Sequence, residues 1–325
     1  MTSATVIIII IAAIVVLFII PIIAMLFITL PIAKKQYTDS FVRTSPEKWA
    51  RCNSCPENEE HTVMFNAGIR WADENRQFCK DVTITNDGLR LYGEFFDFGS
   101  KKSAVILSGR AESLQHAYYF AQPYKELGYN ILVIDGRAHG LSEGKYNCVG
   151  IKESRDVEMW IDLLRKDFGS TQFVIHGICI GSSIAIRLAA KDIDGLKSVV
   201  VEGPYISFYN VIKQRTKNGG HPTFPVVEEM SLLLYFKTGV NIFTEKPIRY
   251  IKQSRIPVLF LCGREDISSL PKNCEKLYAL CPHPEKEIVW FDHGAHSHLR
   301  IANTAEYDAA VKEFITKHEE DTNNV

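Results

Sequence analysis

From residue 103 to residue 317 the chain alternates between short apolar runs and longer stretches with helical spacing. The apolar runs cover 103–107, 130–134, 173–175, 196–201, 256–262 and 287–291. The helical stretches cover 113–127, 151–168, 182–190, 270–280 and 304–317, with Gly128 and Gly169 closing two of them. Parallel strands cannot be joined by tight hairpins, so each pair needs a crossover, and a helix is the usual one. The alternation therefore specifies a mainly parallel sheet with helices on both faces. Ligands of such sheets sit at the C-terminal ends of the strands. Ahead of the alternation, 81–85 and 89–96 flank Asn86-Asp87-Gly88 and read as a hairpin opening the sheet. Val63, Met64, Ala67, Trp71 and Phe78 give 61–78 the spacing of an amphipathic helix.

The alternation breaks at 204–250. This segment carries Pro204, Pro222, Pro225 and Pro247 and an apolar patch over 230–236. An insertion of that length in a compact domain reads as a lid or cap. The sequence contains no internal repeats, and 319–325 reads as a disordered tail.

One strand-to-helix junction carries the pattern of a reactive group. The run 173–175 leads into Gly177-Ile178-Cys179-Ile180-Gly181, and a helical run follows. This is a G-x-nucleophile-x-G elbow with cysteine at the nucleophile position. A sharp turn of this kind crowds its flanks, which explains the glycines. It also sets the sulfur near a helix N-terminus, where free N–H groups favour a thiolate. The competing reading is a buried cysteine in a connection.

A cysteine nucleophile needs a base and a third group that orients the base. In the order nucleophile, acid, histidine, Asp266 follows the run 256–262 within Gly263-Arg264-Glu265-Asp266. His296 follows the run ending at Phe291 within Asp292-His293-Gly294-Ala295-His296-Ser297. Each alone has a bland reading, a turn-capping aspartate or a surface histidine. Glu202 ends a strand and is a rival acid; His293 and His298 are rival bases. His176 reads as a core histidine, and Lys213, Arg215 and Lys217 as a solvated helix face rather than an anion-binding row.

Over residues 81–317 these segments resemble the α/β-hydrolase fold. They are most similar to the membrane-anchored or exported bacterial branch grouped with serine aminopeptidase S33 and monoacylglycerol-lipase-like hydrolases. Asp135-Gly136-Arg137-Ala138-His139-Gly140-Leu141-Ser142 resembles that group's D-x-R-x-H-G-x-S segment, and 105–110 stands where the group has an apolar strand ending in His-Gly. Gly263 through Asp266 and Gly294-Ala295-His296 match its acid and histidine segments. The resemblance implies Cys179 as nucleophile, His296 as general base and then general acid, and Asp266 as its orienting partner. It implies an oxyanion hole from the backbone N–H groups of Arg110 and Ile180. It selects His296 over its neighbours because the family histidine follows Gly-Ala, and it implies that Arg137 and His139 order their loop. Two positions depart from the pattern. Cysteine replaces serine at the elbow, and Ser108 replaces the histidine before Gly109. Cys-His-Asp hydrolases and acyltransferases of this fold exist, dienelactone hydrolase and the bile-acid amino-acid acyltransferases among them.

Residues 4–33 contain no charge and are dominated by Ile, Val, Leu and Phe. That exceeds the roughly 20 residues that span a bilayer, and no basic n-region of a signal peptide precedes it. The segment reads as an uncleaved transmembrane helix, kinked at Pro21 and ending near Pro31. Lys34, Lys35, Arg43, Lys48 and Arg51 follow it, which by the positive-inside rule puts the remaining chain on the cytoplasmic side. Eight cysteines agree with a reducing compartment. Residues 34–80 read as a tether plus the amphipathic helix. Cys52 and Cys55 form a C-x-x-C pair without a second pair, a linker feature rather than a zinc site. A formal net charge of −1 points away from a nucleic-acid partner.

The sequence thus predicts a transmembrane helix (4–33), a tether and helix (34–80), and an α/β-hydrolase domain (81–318) with a lid (204–250). The expected activity is hydrolysis of an ester, thioester or amide by a Cys-His-Asp triad, on a small-molecule or lipid-like acyl substrate, with no metal or organic cofactor implied. Acyl transfer to an amine or thiol, and a non-catalytic membrane scaffold, are the alternatives.

Overall fold

The computed structural model describes residues 2–51 and 59–319; Cys52, Cys55 and the tail beyond Glu319 lie outside the described residues. One sheet contains β1 (Cys79–Asn86), β2 (Leu89–Phe96), β3 (Lys102–Leu107), β4 (Asn130–Ile134), β5 (Gln172–Ile178), β6 (Leu196–Glu202), β7 (Val258–Gly263) and β8 (Glu287–Phe291). Their order is β1-β2-β4-β3-β5-β6-β7-β8. β2 runs antiparallel to β1 and β4, and the remaining pairs are parallel. Asp87 and Gly88 take φ of 51° and 74°, the two positive values that a two-residue hairpin turn requires.

Successive strand residues point to opposite faces, and the core divides accordingly. Val105, Leu132, Ile175, Val199 and Phe260 join one cluster, which includes Trp160. Ile106, Val133, Val174, Val200 and Leu259 join the other, with Trp71, Tyr118 and Phe314. Burial of both sheet faces is why these strands are continuous apolar runs. The stretch 113–127 is not one helix. It folds as Leu114–Ala117, a 3-10 turn Tyr118–Phe120 and Gln122–Glu126, because Tyr118, Tyr119 and Phe120 are all buried and one regular helical face cannot bury three consecutive aromatics. At the C-terminus, Glu319 belongs to the last helix, Thr304–Glu319, and pairs with Lys102 at 3.0 Å.

The N-terminal segment differs most from the sequence reading. A single helix runs Ser3–Phe41, with Pro31 inside it. A π-helical turn, Val15–Ile19, lies just before Pro21, where a wider turn accommodates the proline ring and its missing N–H. Residues 34–42 are not a free tether. Ala33, Tyr37, Phe41 and Val42 are buried in the domain core, and Lys48 Nζ caps the helix by donating to the carbonyls of Thr38 and Val42 at 2.9 and 2.7 Å. Arg43 donates to the carbonyls of Pro46 and Gly140, and Arg51 pairs with Asp135 and Glu94. Three of the five basic residues after the apolar stretch therefore dock the chain; of the other two, Lys35 pairs with Asp39 at 2.9 Å.

The insertion at 204–250 holds the helices Phe208–Asn218 and Val226–Thr238, called the first and second cap helices below, and a short helix Pro247–Tyr250; the two longer ones pack on each other and both touch the N-terminal helix.

Candidate active site

Cys179 sits between the end of β5 and the helix Ile180–Ala189, with φ 55° and ψ −106°. A non-glycine residue with positive φ is strained, and the surroundings enforce it. The Cys179 N–H donates to the Glu202 carbonyl at 3.0 Å. A Cβ on Gly177 would lie 2.1 Å from the Gly181 oxygen, and one on Gly181 would lie 2.4 Å from the Leu107 oxygen. Both elbow glycines are thus required by backbone contact.

Asp266, in the loop after β7, and His296, in the loop after β8, meet at this turn. His296 Nδ1 lies 2.7 Å from Asp266 Oδ2. The second carboxylate oxygen of Asp266 accepts from the Ser268 and Ser269 N–H groups, 2.7 Å each. Behind them is Gly203, where an added Cβ would stand 3.0 Å from His296 Cε1. Sequence reasoning missed Gly203, and no local pattern marks it. Burial disfavours every charge here, yet the partners override it. The charge of His296 beside it holds the Cys179 thiol below the ordinary thiol range. Cys179 and Asp266 together hold His296 well above the ordinary imidazole range. His296 and the two serine amides hold Asp266 below the ordinary carboxylate range. In each case the neighbouring group favours the charged form.

The rival groups are engaged with other partners or face solvent, although His298 also lines the cleft that Cys179 and His296 share. His293 is exposed, and His298 is buried with Nδ1 3.5 Å from Glu60. His176 is fully buried with Nε2 3.0 Å from the Tyr307 hydroxyl. Glu202 accepts from that hydroxyl at 2.6 Å, and burial pushes its carboxyl up to about 7.

Arg110 follows β3, and its carbonyl is held from two sides: His139 Nε2 lies 2.7 Å away and Asn147 Nδ2 donates at 2.9 Å. Arg137 secures the same loop, donating to both oxygens of Asp156 at 2.6 and 2.7 Å. The Gly109 N–H donates to Glu112 Oε2 at 2.7 Å, and the Arg110 guanidinium donates to the Ser40 carbonyl of the N-terminal helix at 3.1 Å. Ile180 opens the elbow helix.

Cys179, Arg110 and His296 line a cleft of about 480 Å³ walled by the first cap helix and the loop after Asp266. Phe208, Val211 and Ile267 give it apolar surface; Arg215 and Lys272 give it positive charge. Arg215 is therefore on the cleft wall, unlike Lys213 and Lys217, which do not line it. Neither Arg215 nor Lys272 has a carboxylate partner among the described residues. Burial, and then Arg215, push the Arg110 guanidinium down to about 10. No group of three or more His, Cys, Asp or Glu is arranged to hold a metal ion among the described residues.

The profile of the family described as serine aminopeptidase, S33 matches residues 99–225. Relatives include the membrane protein YNL320W of Saccharomyces cerevisiae, 27% identical over 224 residues, covering 67% of this chain and 73% of that one. Protein bem46 of Schizosaccharomyces pombe is 24% identical over 224 residues, covering 69% and 70%. Among solved structures, the esterase Pf2001 of Pyrococcus furiosus aligns with a TM-score of 0.62 at 25% identity, covering 76% of this chain and 94% of that one. The chain has the α/β-hydrolase fold, and these likenesses support a hydrolase.

Proposed function

We propose that this chain is a membrane-anchored hydrolase that cleaves an ester, thioester or amide through Cys179, His296 and Asp266. The observation that carries the reading is the 2.7 Å contact of Asp266 with His296 in a cleft that His296 and Cys179 both line, the three residues coming from three loops at the strand ends. Cys179 thiolate attacks the substrate carbonyl carbon. The N–H groups of Arg110 and Ile180 receive the oxyanion, each such donor contributing about 2.7–4 kcal/mol. The His296 imidazolium gives its proton to the leaving alcohol, thiol or amine, which leaves a thioester on sulfur. Neutral His296 then takes a proton from water as the water attacks that thioester. Collapse expels the thiolate, releases the acid and restores the ion pair. Asp266 keeps the imidazole oriented and stabilises its cationic form.

The cleft supports a small-molecule or lipid-like acyl substrate, its chain against Phe208 and Val211 and a negative group toward Arg215 and Lys272. The apolar helix supports membrane anchoring, and Lys34 and Lys35 support the cytoplasmic side for the domain. Hydrolysis of short aryl esters and thioesters by wild type and Cys179→Ala tests the reading. Wild type turns both over, and unchanged turnover by the variant refutes it.

A further inference from the structure

The apolar stretch 4–33 is about 45 Å long at 1.5 Å per residue, against about 30 Å of hydrocarbon core. The surplus lies at its C-terminal end and is covered on one side only. Thr29 and Ala33 are buried, four residues apart, in line with Tyr37 and Phe41. The Thr29 hydroxyl donates to Glu229 Oε1 of the second cap helix at 3.0 Å. On the opposite side, at the same height, Phe27 and Ile28 are each 72% exposed. The anchor thus needs an apolar environment at the level where it grips the cap.

The second cap helix presents a matching surface. Leu232, Tyr235 and Phe236 stand at i, i+3 and i+4, one helix face. All three are exposed, Phe236 by 77%, and Phe224 just before the helix is exposed as well. Isolated apolar residues on a surface mean little, but a contiguous patch marks an interaction site. This one adjoins a helix that itself enters lipid, and its tyrosine is of the kind enriched at the headgroup level. Lys237 beside it can extend its ammonium toward water.

We infer that the second cap helix, Val226–Thr238, lies in the membrane interface with Leu232, Tyr235 and Phe236 at the boundary of the acyl chains. The inference rests on the membrane-anchored reading above and deepens it. The domain does not swing on a tether; it is held flat against the bilayer by anchor and cap together. The first cap helix links this to the site. Phe208 packs on Phe41 with ring centroids 6.0 Å apart, and the Thr216 hydroxyl donates to Gln36 at 2.8 Å. The same helix walls the cleft with Val211 and Arg215. The cleft therefore stays beside the headgroup layer, where amphiphilic acyl substrates partition.

Tryptophan placed in the full-length chain, reconstituted in lipid vesicles, tests this. Phe236→Trp and Leu232→Trp report on the cap, Ile11→Trp on the anchor and Glu306→Trp on the exposed side of the last helix, which packs on the other face of the sheet, each read against the native tryptophans of the wild type. With lipids brominated near the headgroup end of the chains, the cap variants lose most of their added emission and Glu306→Trp loses none. With lipids brominated near the chain ends, Ile11→Trp loses its emission. Quenching of Ile11→Trp without quenching of either cap variant overturns the inference and leaves the anchor standing. Absence of quenching at Ile11→Trp overturns both.

Discussion

Asp266 holds His296 through a 2.7 Å contact between Oδ2 and Nδ1, while its other oxygen is fixed by two backbone amides. An amide in place of that carboxylate presents the wrong hydrogen-bonding partner to the ring. Asp266→Asn is expected to lower kcat about 10⁴-fold with the fold intact by circular dichroism. Glu202, the rival acid, binds Tyr307 instead. Glu202→Gln loses about one ordinary hydrogen bond, so its kcat falls by no more than about tenfold. Equal losses in the two variants contradict the assignment.

The proposed Cys179–His296 ion pair predicts a pH profile. His296 holds the Cys179 thiol below its usual range, and Cys179 with Asp266 holds His296 well above its own; in the proposed mechanism the reactive form is the one present between the two. As pH rises through the lowered thiol pKa, kcat/KM increases. As pH rises further, through the raised histidine pKa, the proton needed by the leaving group is lost and kcat/KM falls. Alkylation of Cys179 by iodoacetamide follows the acid limb alone. His296→Asn shifts that limb upward toward the ordinary thiol range, and an unshifted limb refutes the pairing.

Phe41 is fully buried against Phe208. Removing such a ring costs about 3–5 kcal/mol. Phe41→Ala is therefore expected to lower the denaturation midpoint of the detergent-solubilised protein. Because Ser40 in the same turn holds Arg110, kcat falls as well. A chain in which 34–42 merely tethers the domain shows neither change.

Arg215 faces the cleft without a carboxylate partner among the described residues. A charge pair at partial exposure contributes about 1 kcal/mol. Arg215→Ala is expected to raise KM about fivefold for acyl substrates bearing a negative group and to leave neutral ones unchanged. Equal effects on both classes exclude charge recognition.

Strand positions were legible because burial of both faces leaves continuous apolar runs, and β4, buried throughout, falls at 130–134 as read. The Gly177–Gly181 spacing was legible because backbone contact leaves no alternative to glycine. What the sequence hid depends on distant partners. Tyr37, Phe41 and Val42 stand among polar residues and look like linker until the cap is folded against them. A spacing of four through Thr29, Ala33, Tyr37 and Phe41 is the signal that was available. Arg215 and Lys213 share one helix, and only the position of the cleft separates their roles. Gly203 matters through His296, which is far from it in the chain.

The central claim is a covalent acyl-enzyme on Cys179. Wild-type protein mixed with an acyl thioester, quenched in acid during turnover, and digested for mass analysis tests it directly. The peptide containing Cys179 gains the mass of the acyl group, and the gain accumulates when deacylation is slowed. A Cys179 peptide that stays unmodified during full turnover, or an acyl mass on any other residue at that rate, contradicts the account.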